Sequence, residues 1–229
     1  MSLALVVPGI LYVLLQLLGE NKFALPIFYE LGVPHTLDNP PSRRDADIAY
    51  AYRNEGPEPG WEQACGFANA PHRVGDITFK TLDGYDFAMG QIKTAYVVGL
   101  LPLEEEGAAQ YDFTMSELMR IRQTYGVDQL QIVLVFADSA LGQRQYPVMT
   151  QLAGWHGVLG LPEPIAQWAN CELVLPHPLA VTVKAEAPYT HILTLVDEQK
   201  RVRGYYDGRK QKETDRLDVE LRVLMQEKD

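Results

Sequence analysis

Two strongly apolar stretches have the length and β-branched content of buried strands. Residues 94–101 (TAYVVGLL) and 130–136 (LQIVLVF) are apolar on both faces, as strands in the centre of a sheet are. Residues 77–82 alternate enough to predict a further short strand. The Asp83-Gly84 pair that follows predicts a hairpin turn, because glycine tolerates a positive φ.

Helical periodicity follows the first buried strand. A T-x-x-E sequence at Thr114 and Glu117 predicts that a helix begins there with a capping box. Gly126 is placed to be the C′ residue that ends this helix. Between them the apolar residues recur at helical spacing: Met115, Leu118, Ile121 and Tyr125.

The C-terminal part predicts a short helix over 162–170, a β-hairpin over 191–206 and a closing amphipathic helix over 213–227. The short helix places Ile165 and Trp168 inward. A β-α-β half followed by a β-β-α half has the topology of the thioredoxin fold. We therefore expect an α/β, thioredoxin-like domain with a central mixed sheet flanked by helices. The apolar face of the closing helix carries three leucines: Leu217, Leu221 and Leu224.

The N-terminus is strongly apolar. The first 19 residues carry no charged side chain, and residues 3–18 are almost wholly apolar. Together they reach the lower length limit of a membrane-spanning helix, about 17 residues. We expect residues 1–22 to form an uncleaved membrane anchor. A buried core helix and a cleaved secretory signal are the alternatives, although no basic region or A-x-A-like site precedes Lys22.

Prolines mark the next segment. Residues 26–71 hold seven of the 15 prolines in the chain, so neither a long helix nor a central strand fits there. We interpret residues 23–73 as a linker that is extended or irregular and partly packed on the domain. The compact domain is expected to span residues 74–229.

Composition excludes several function classes. An apolar content of 47% with 22% charged residues is that of a globular protein. The net charge of −10, with no basic patch, argues against nucleic acid as a partner. The chain has two cysteines and no CxxC or paired Cys/His cluster, which argues against a structural zinc site.

The hairpin carries a resemblance to a known family. Residues 191–208 (HILTLVDEQKRVRGYYDG) closely resemble the C-terminal hairpin of the Sco/SenC family, thioredoxin-like copper proteins of cytochrome c oxidase assembly. Residues 72–84 and 155–170 resemble two further parts of the family pattern, so that roughly 72–225 is covered. The resemblance implies a single-pass protein of a bacterial inner membrane, with its domain in the periplasm.

The copper ligands of that family are unmatched here. The resemblance implies two cysteines in a C-x-x-x-C after the second strand and a distal histidine. Leu101 and Glu105 stand at about the cysteine positions, and Tyr189 stands at the histidine position. Leucine cannot ligate, and a lone carboxylate is a poor ligand for soft Cu(I). His191 lies two residues past the histidine position and does not restore the site. We therefore predict no copper or other cofactor and no enzymatic activity.

These departures set the expected function. The chain is expected to act as an interaction or assembly factor in respiratory oxidase biogenesis, with an oxidase subunit or assembly factor as its protein partner. The alternative is an active copper chaperone or thiol-disulfide oxidoreductase with a rearranged site using Cys65, His72 or Cys171. A third interpretation is a soluble α/β domain whose family resemblance misleads.

Several candidate residues keep more than one interpretation. Cys65 and Cys171 form a disulfide, remain two separate thiols, or make a redox pair. The acidic run Glu104, Glu105 and Glu106 is a solvated loop or a partner-contact loop. Tyr189 is expected to fill, as a packed aromatic, the volume of the missing histidine and metal. The five histidines are scattered, which is typical of surface or structural residues.

Overall fold

The computed structural model describes residues 24–29, 71–101, 108–136, 152–160, 162–175 and 191–227. In this part of the chain, seven strands form one mixed sheet: β1 (Thr78–Thr81), β2 (Asp86–Ala88), β3 (Ala95–Leu101), β4 (Leu130–Phe136), β5 (Trp155–Leu159), β6 (Ile192–Val196) and β7 (Val202–Asp207). Three α-helices accompany it: α1 (Ala108–Arg122), α2 (Pro162–Cys171) and α3 (Gln211–Gln226).

The centre of the sheet has thioredoxin topology. The strands lie in the order β2-β1-β5-β4-β3-β6-β7. β3 pairs in parallel with β4 and antiparallel with β6, and β6 pairs antiparallel with β7. Helix α1 connects β3 to β4, and α3 follows β7. This β-α-β unit followed by β-β-α confirms the predicted fold, and β5 with the β1–β2 hairpin extends the sheet beside β4.

The two faces of the sheet bury separate apolar clusters. On one face, Tyr96 and Val98 of β3 belong to the cluster that contains Ile165 and Trp168 of α2. On the other face, Val97 joins the cluster formed by α1 and α3. Consecutive β3 residues alternate between the clusters, because side chains of a strand point to opposite faces. The central strands are therefore covered on both sides, as their apolar sequence predicts.

Helix α1 corrects the predicted helix start. It begins at Ala108 rather than at the capping box. Thr114 is fully buried within the helix, and its Oγ1 donates a hydrogen bond to the carbonyl of Gly208 at 3.0 Å. Glu117 accepts hydrogen bonds from Arg120 and Thr214. The T-x-x-E pair does not form a capping box, because both side chains bond to partners other than the first backbone amides of the helix.

The end of α1 also differs from the prediction. The helix ends at Arg122, and Gly126 lies beyond it without the positive φ of a left-handed C′ residue. The carbonyl of Gly126 accepts the backbone amide of Leu130 at 3.0 Å, so this glycine begins the turn into β4. Gly84 does adopt a positive φ of 86° in the β1–β2 turn, as predicted. Strand β5 was not predicted from the sequence, because it is short and is recognised by its pairing with β4.

His156 on β5 is expected to make the stability of the domain depend on pH. Its Nε2 lies 2.8 Å from Gln131 Oε1, and its ring packs on Phe87 with 4.5 Å between centroids. Burial lowers the pKa of His156 below 6.5. The unfolded chain therefore binds the proton more readily than the folded one. The contribution of neutral His156 to the free energy of unfolding should be fully present above pH 6.5 and should be lost as the pH falls through the folded-state pKa.

Urea unfolding of the wild type and of His156→Gln between about pH 7.5 and pH 5 measures this contribution. The variant is expected to lose less stability than the wild type over that interval. Equal losses in the two proteins would show that His156 does not carry the pH dependence.

Candidate functional site

The carboxyl end of β3 forms the candidate site. Leu101 ends β3 and pairs in register with Phe136, the last residue of β4. Gly99 of β3 lies opposite Leu193 of β6. The same antiparallel register, carried two residues further, brings His191 to the same edge as Leu101. Ligands of open α/β sheets bind at the carboxyl ends of parallel strands, so this edge is where chemistry is expected.

The start of β6 is held firmly at this edge. The backbone amide of Gly208 donates to the carbonyl of His191 at 2.8 Å, and the carbonyl of Gly208 accepts from Thr114 of α1. A β-carbon at position 208 would lie 2.9 Å from Thr114 Cγ2 and 3.1 Å from the His191 carbonyl oxygen. Glycine therefore allows the close approach of residue 208 to Thr114 and to the His191 carbonyl. This approach joins the hairpin to α1 next to the half-buried His191.

Asp207, opposite Ile192 in the hairpin, is an acidic group near this edge. Burial raises the pKa of Asp207, but hydrogen bonds from Arg209 and Lys210 outweigh burial and lower it to about 2. Arg209 Nε lies 2.8 Å from one carboxylate oxygen, and Lys210 Nζ lies 3.1 Å from the other. The carboxylate is therefore ionised at neutral pH and already paired with two cations.

The structure describes only some of the predicted site residues. Leu101 ends β3, at the edge that also holds His191. Glu104, Glu105 and Glu106 of the predicted contact loop, together with Tyr189 and Cys65, lie outside the described residues. Their roles stay predictions. Within the described ranges, no three His, Cys, Asp or Glu side chains come together as a metal-binding group.

The two described residues of the alternative site, His72 and Cys171, lie at the C-terminal end of α2. His72 Nε2 lies 2.7 Å from the carbonyl oxygen of Glu172, the residue after α2. The backbone amide of His72 donates to the carbonyl of Tyr29, which belongs to the same apolar cluster as α2. His191 instead lies beside α1, so the structure does not bring His72 and His191 into one site.

Cys171 ends α2 and is disulfide-bonded. The sequence contains one other cysteine, Cys65, which lies outside the described residues. The Cys65–Cys171 pairing therefore stays a prediction. The contact between His72 and Glu172 does place a histidine at the helix end that carries this disulfide.

Comparison with known proteins was made at the levels of sequence and structure. No known protein family and no curated protein matches this chain by sequence. Its structure resembles that of BsSco, a member of the Sco family of cytochrome c oxidase assembly proteins, with a TM-score of 0.52 and 12% identity over 69% of this chain and 95% of BsSco. A SCO1/SenC family lipoprotein from Bacillus anthracis str. Ames gives a TM-score of 0.55 and 13% identity over 67% and 95% of the two chains.

The chain shares the thioredoxin-like fold of Sco/SenC structures. A candidate electron transfer protein from Aquifex aeolicus VF5 has the same fold, with a TM-score of 0.50 and 14% identity over 68% of this chain and 98% of that one. BsSco and the SCO1/SenC lipoprotein are from the family that the 191–208 hairpin resembles. At identities of 12–14%, the likeness establishes the fold.

The predicted membrane anchor, residues 1–22, lies outside the described residues. Among the helices that the structure describes, none is long and apolar enough to cross a membrane. The predicted boundaries of the linker and the domain, at residues 23, 73 and 74, likewise stay predictions.

Sequence reasoning missed the role of Arg203. This side chain is only 1% exposed, and its guanidinium contacts Asp197 at 3.0 Å and Glu227 at 2.6 Å. It also donates to the carbonyls of Leu25 and Pro26. The available signal was a charged residue in the middle of the predicted hairpin strand, because a charge that becomes buried there requires partners from elsewhere in the fold.

Proposed function

We propose that this chain is a divergent, membrane-anchored Sco/SenC-type protein that acts as an interaction or assembly factor for a respiratory oxidase. One observation carries the proposal: a thioredoxin-like core ends its central strand in Leu101, where the family pattern has a ligating cysteine. The protein uses the scaffold without copper or thiol chemistry at that edge.

The proposed location is a bacterial inner membrane, with the domain in the periplasm and residues 1–22 as the single span. The uncharged apolar run at the N-terminus supports the anchor. The similarity to the structure of a lipoprotein also supports attachment to a membrane, since lipidation anchors proteins to bilayers.

The absence of copper chemistry predicts that the purified full-length chain will not compete for Cu(I). Leu101 offers no ligand atom, and the paired Asp207 is a poor ligand for a soft ion. Titration of a colorimetric Cu(I) chelator, with ascorbate so that disulfides stay intact, should show no transfer of metal to the wild type.

A matched variant makes that titration decisive. The triple substitution Leu101→Cys, Glu105→Cys and Tyr189→His installs the ligand types of the family pattern and should gain about one Cu(I) per chain. Tight stoichiometric binding by the wild type would overturn the proposal. Cys65→Ser and Cys171→Ser would then test whether the alternative site binds the metal.

The assembly role is tested by deletion in the host cell. Loss of the chain should reduce the amount of assembled heme–copper oxidase, and a plasmid copy of the wild type should restore it. If the scaffold acts through contacts alone, the wild type should restore the oxidase by itself, without the copper ligands of the triple variant. Unchanged oxidase content after deletion would refute the respiratory role.

A second candidate function rests on the disulfide at Cys171. This residue is half-buried, and His72 lies at the same end of α2. Thiol-disulfide exchange requires an accessible sulfur and a reduction potential within reach of cellular thiols. Equilibration with glutathione buffers tests it: a potential above about −250 mV supports exchange, and one below about −300 mV marks a structural disulfide.

A further inference from the structure

Helix α3 presents one face to solvent. Leu217 and Leu221, on its other face, are fully buried in the cluster that α3 forms with α1 and the sheet. Apart from Gln211 at its start, the exposed residues of the helix form a single stripe: Lys212, Asp215, Val219, Arg222 and Gln226. Their spacing alternates between three and four residues, so they lie on one side of the helix. Helices pack against each other through stripes with this spacing.

The centre of this stripe is apolar. Val219 is 56% exposed, although its neighbours along the stripe are charged. A groove of about 460 Å³ runs beside it and is lined by Val219 and Val223 of α3 and by Leu25 and Pro26. The groove can therefore receive an apolar side chain that approaches α3 from solvent. Burial of that side chain together with Val219 would stabilise the contact.

The charges of the stripe complement each other about Val219. Asp215 lies four residues before Val219, and Arg222 lies three residues after it. When two copies of α3 pack antiparallel with a two-fold axis at Val219, residues at equal separations before and after it face each other. Asp215 of one copy then lies within about 1.5 Å of Arg222 of the other along the helix axis. The two-fold axis makes this pair of opposite charges twice.

The ends of the stripe fit the same register. Lys212 lies seven residues before Val219 and Gln226 lies seven residues after it, so a cation faces a neutral amide. A parallel pair of helices would instead place every residue opposite its own copy. Asp215 would then face Asp215, and Arg222 would face Arg222, which like-charge repulsion disfavours. The order of the charges therefore selects the antiparallel arrangement.

The ion pairs that these residues already make leave them able to bind a further partner. Asp215 Oδ1 lies 2.8 Å from Arg120 Nη2 of α1, and Arg222 Nη2 lies 2.6 Å from Asp218 Oδ2. The side chains of Asp215 and Arg222 are each more than half exposed. A carboxylate accepts several hydrogen bonds and a guanidinium donates several, so a second ion pair adds to the first.

We propose that the exposed stripe of α3 is the interface of a homodimer. Two copies of the helix pack antiparallel about Val219, Asp215 of each copy pairs with Arg222 of the other, and Val219 of each copy enters the groove of the other. A single helix pair is a small interface, so we expect a weak dimer with a Kd of roughly 1–100 μM. The contact does not depend on the proposed role in oxidase assembly.

Exchange of the two charges tests the register. Sedimentation velocity of the purified full-length chain in mild detergent should show a dimer that grows with concentration. Asp215→Arg and Arg222→Asp should each weaken dimerisation at least about tenfold, because each creates two pairs of like charges. The double variant restores both ion pairs, and its Kd should return to within about threefold of the wild type. A double variant as weak as the single variants would overturn the antiparallel register.

Two exposed valines test the centre of the interface. Val219→Glu places two carboxylates at the axis and should abolish the dimer. Val127→Glu is the matched control, because Val127 is also exposed but lies between α1 and β4, and dimerisation should be unchanged. Far-UV circular dichroism checks that each variant is folded. A wild type that stays monomeric up to about 1 mM, or a Val219→Glu variant that dimerises like the wild type, would overturn the proposal.

Cross-linking gives a second readout of the register. In Val219→Cys the two introduced thiols meet at the axis, and a short bismaleimide should link the two copies. In Gln226→Cys the two thiols are separated by about 21 Å along the axis and should not be linked. Linkage through residue 226 without linkage through residue 219 would overturn the proposed arrangement.

Discussion

Replacing Arg203 with alanine is expected to lower the free energy of unfolding by about 3–5 kcal/mol. The guanidinium is 1% exposed and pairs with Asp197, which is 2% exposed, and with Glu227. Its removal leaves a buried carboxylate without that cation and also frees the carbonyls of Leu25 and Pro26. Arg201 remains bonded to Asp197 at 2.6 Å and offsets part of the loss.

Urea unfolding of the two proteins at neutral pH measures this difference. Lys80→Ala is the control, because Lys80 and Asp86 form an ion pair whose side chains are 60% and 69% exposed, and this pair should contribute no more than about 1 kcal/mol. A loss below about 1 kcal/mol for Arg203→Ala would mean that the buried network is energetically neutral. The network would then position residues 24–29 without stabilising the domain.

Removing the disulfide at Cys171 is expected to have an effect of similar size. If its partner is Cys65, the bond closes a loop of about 100 residues and contributes on the order of 4–5 kcal/mol by restricting the unfolded chain. Cys171→Ser should therefore lower the free energy of unfolding by about that amount, and Cys65→Ser should lower it equally.

Peptide mapping under non-reducing conditions identifies the partner of Cys171 directly. Urea unfolding of both serine variants and of the reduced wild type then tests the energy, and the three losses should agree within about 1 kcal/mol. A large effect of Cys171→Ser with none from Cys65→Ser would contradict the predicted pairing. A small effect in all three would show that the disulfide is not a stability element, which favours the exchange reaction.

Elements with strong local signals were predicted well from the sequence. The apolar runs became β3 and β4, and the hairpin over 191–206 became β6 and β7. In these segments the local preference of the residues agrees with the tertiary fold. The predicted start of α1 was wrong. Thr114 and Glu117 look like a capping box, yet their side chains bond to Gly208 and Thr214. A cap signal holds only when the side chain has no better partner in the folded protein.

Only part of the candidate site could be predicted from the sequence. The position of Leu101 at the end of β3 followed from the apolar run and the family resemblance. The neighbourhood of His191 and Asp207 at the same edge depends on the pairing of β6 with β3 and β7. The contact between His72 and Glu172 joins residues 100 positions apart, and no periodicity in the sequence indicates it.

The sequence by itself determined the fold class, the central strands and the final hairpin. Periodicity, turn residues and residue type are local properties, and they can be recognised without knowing the neighbours in space. Only the tertiary structure decided where Arg203 finds its charge partners and what holds residues 24–29 on the domain. Those contacts bring together Leu25, Asp197 and Glu227. A buried charge needs partners that are close in space, and these can lie at any separation along the chain.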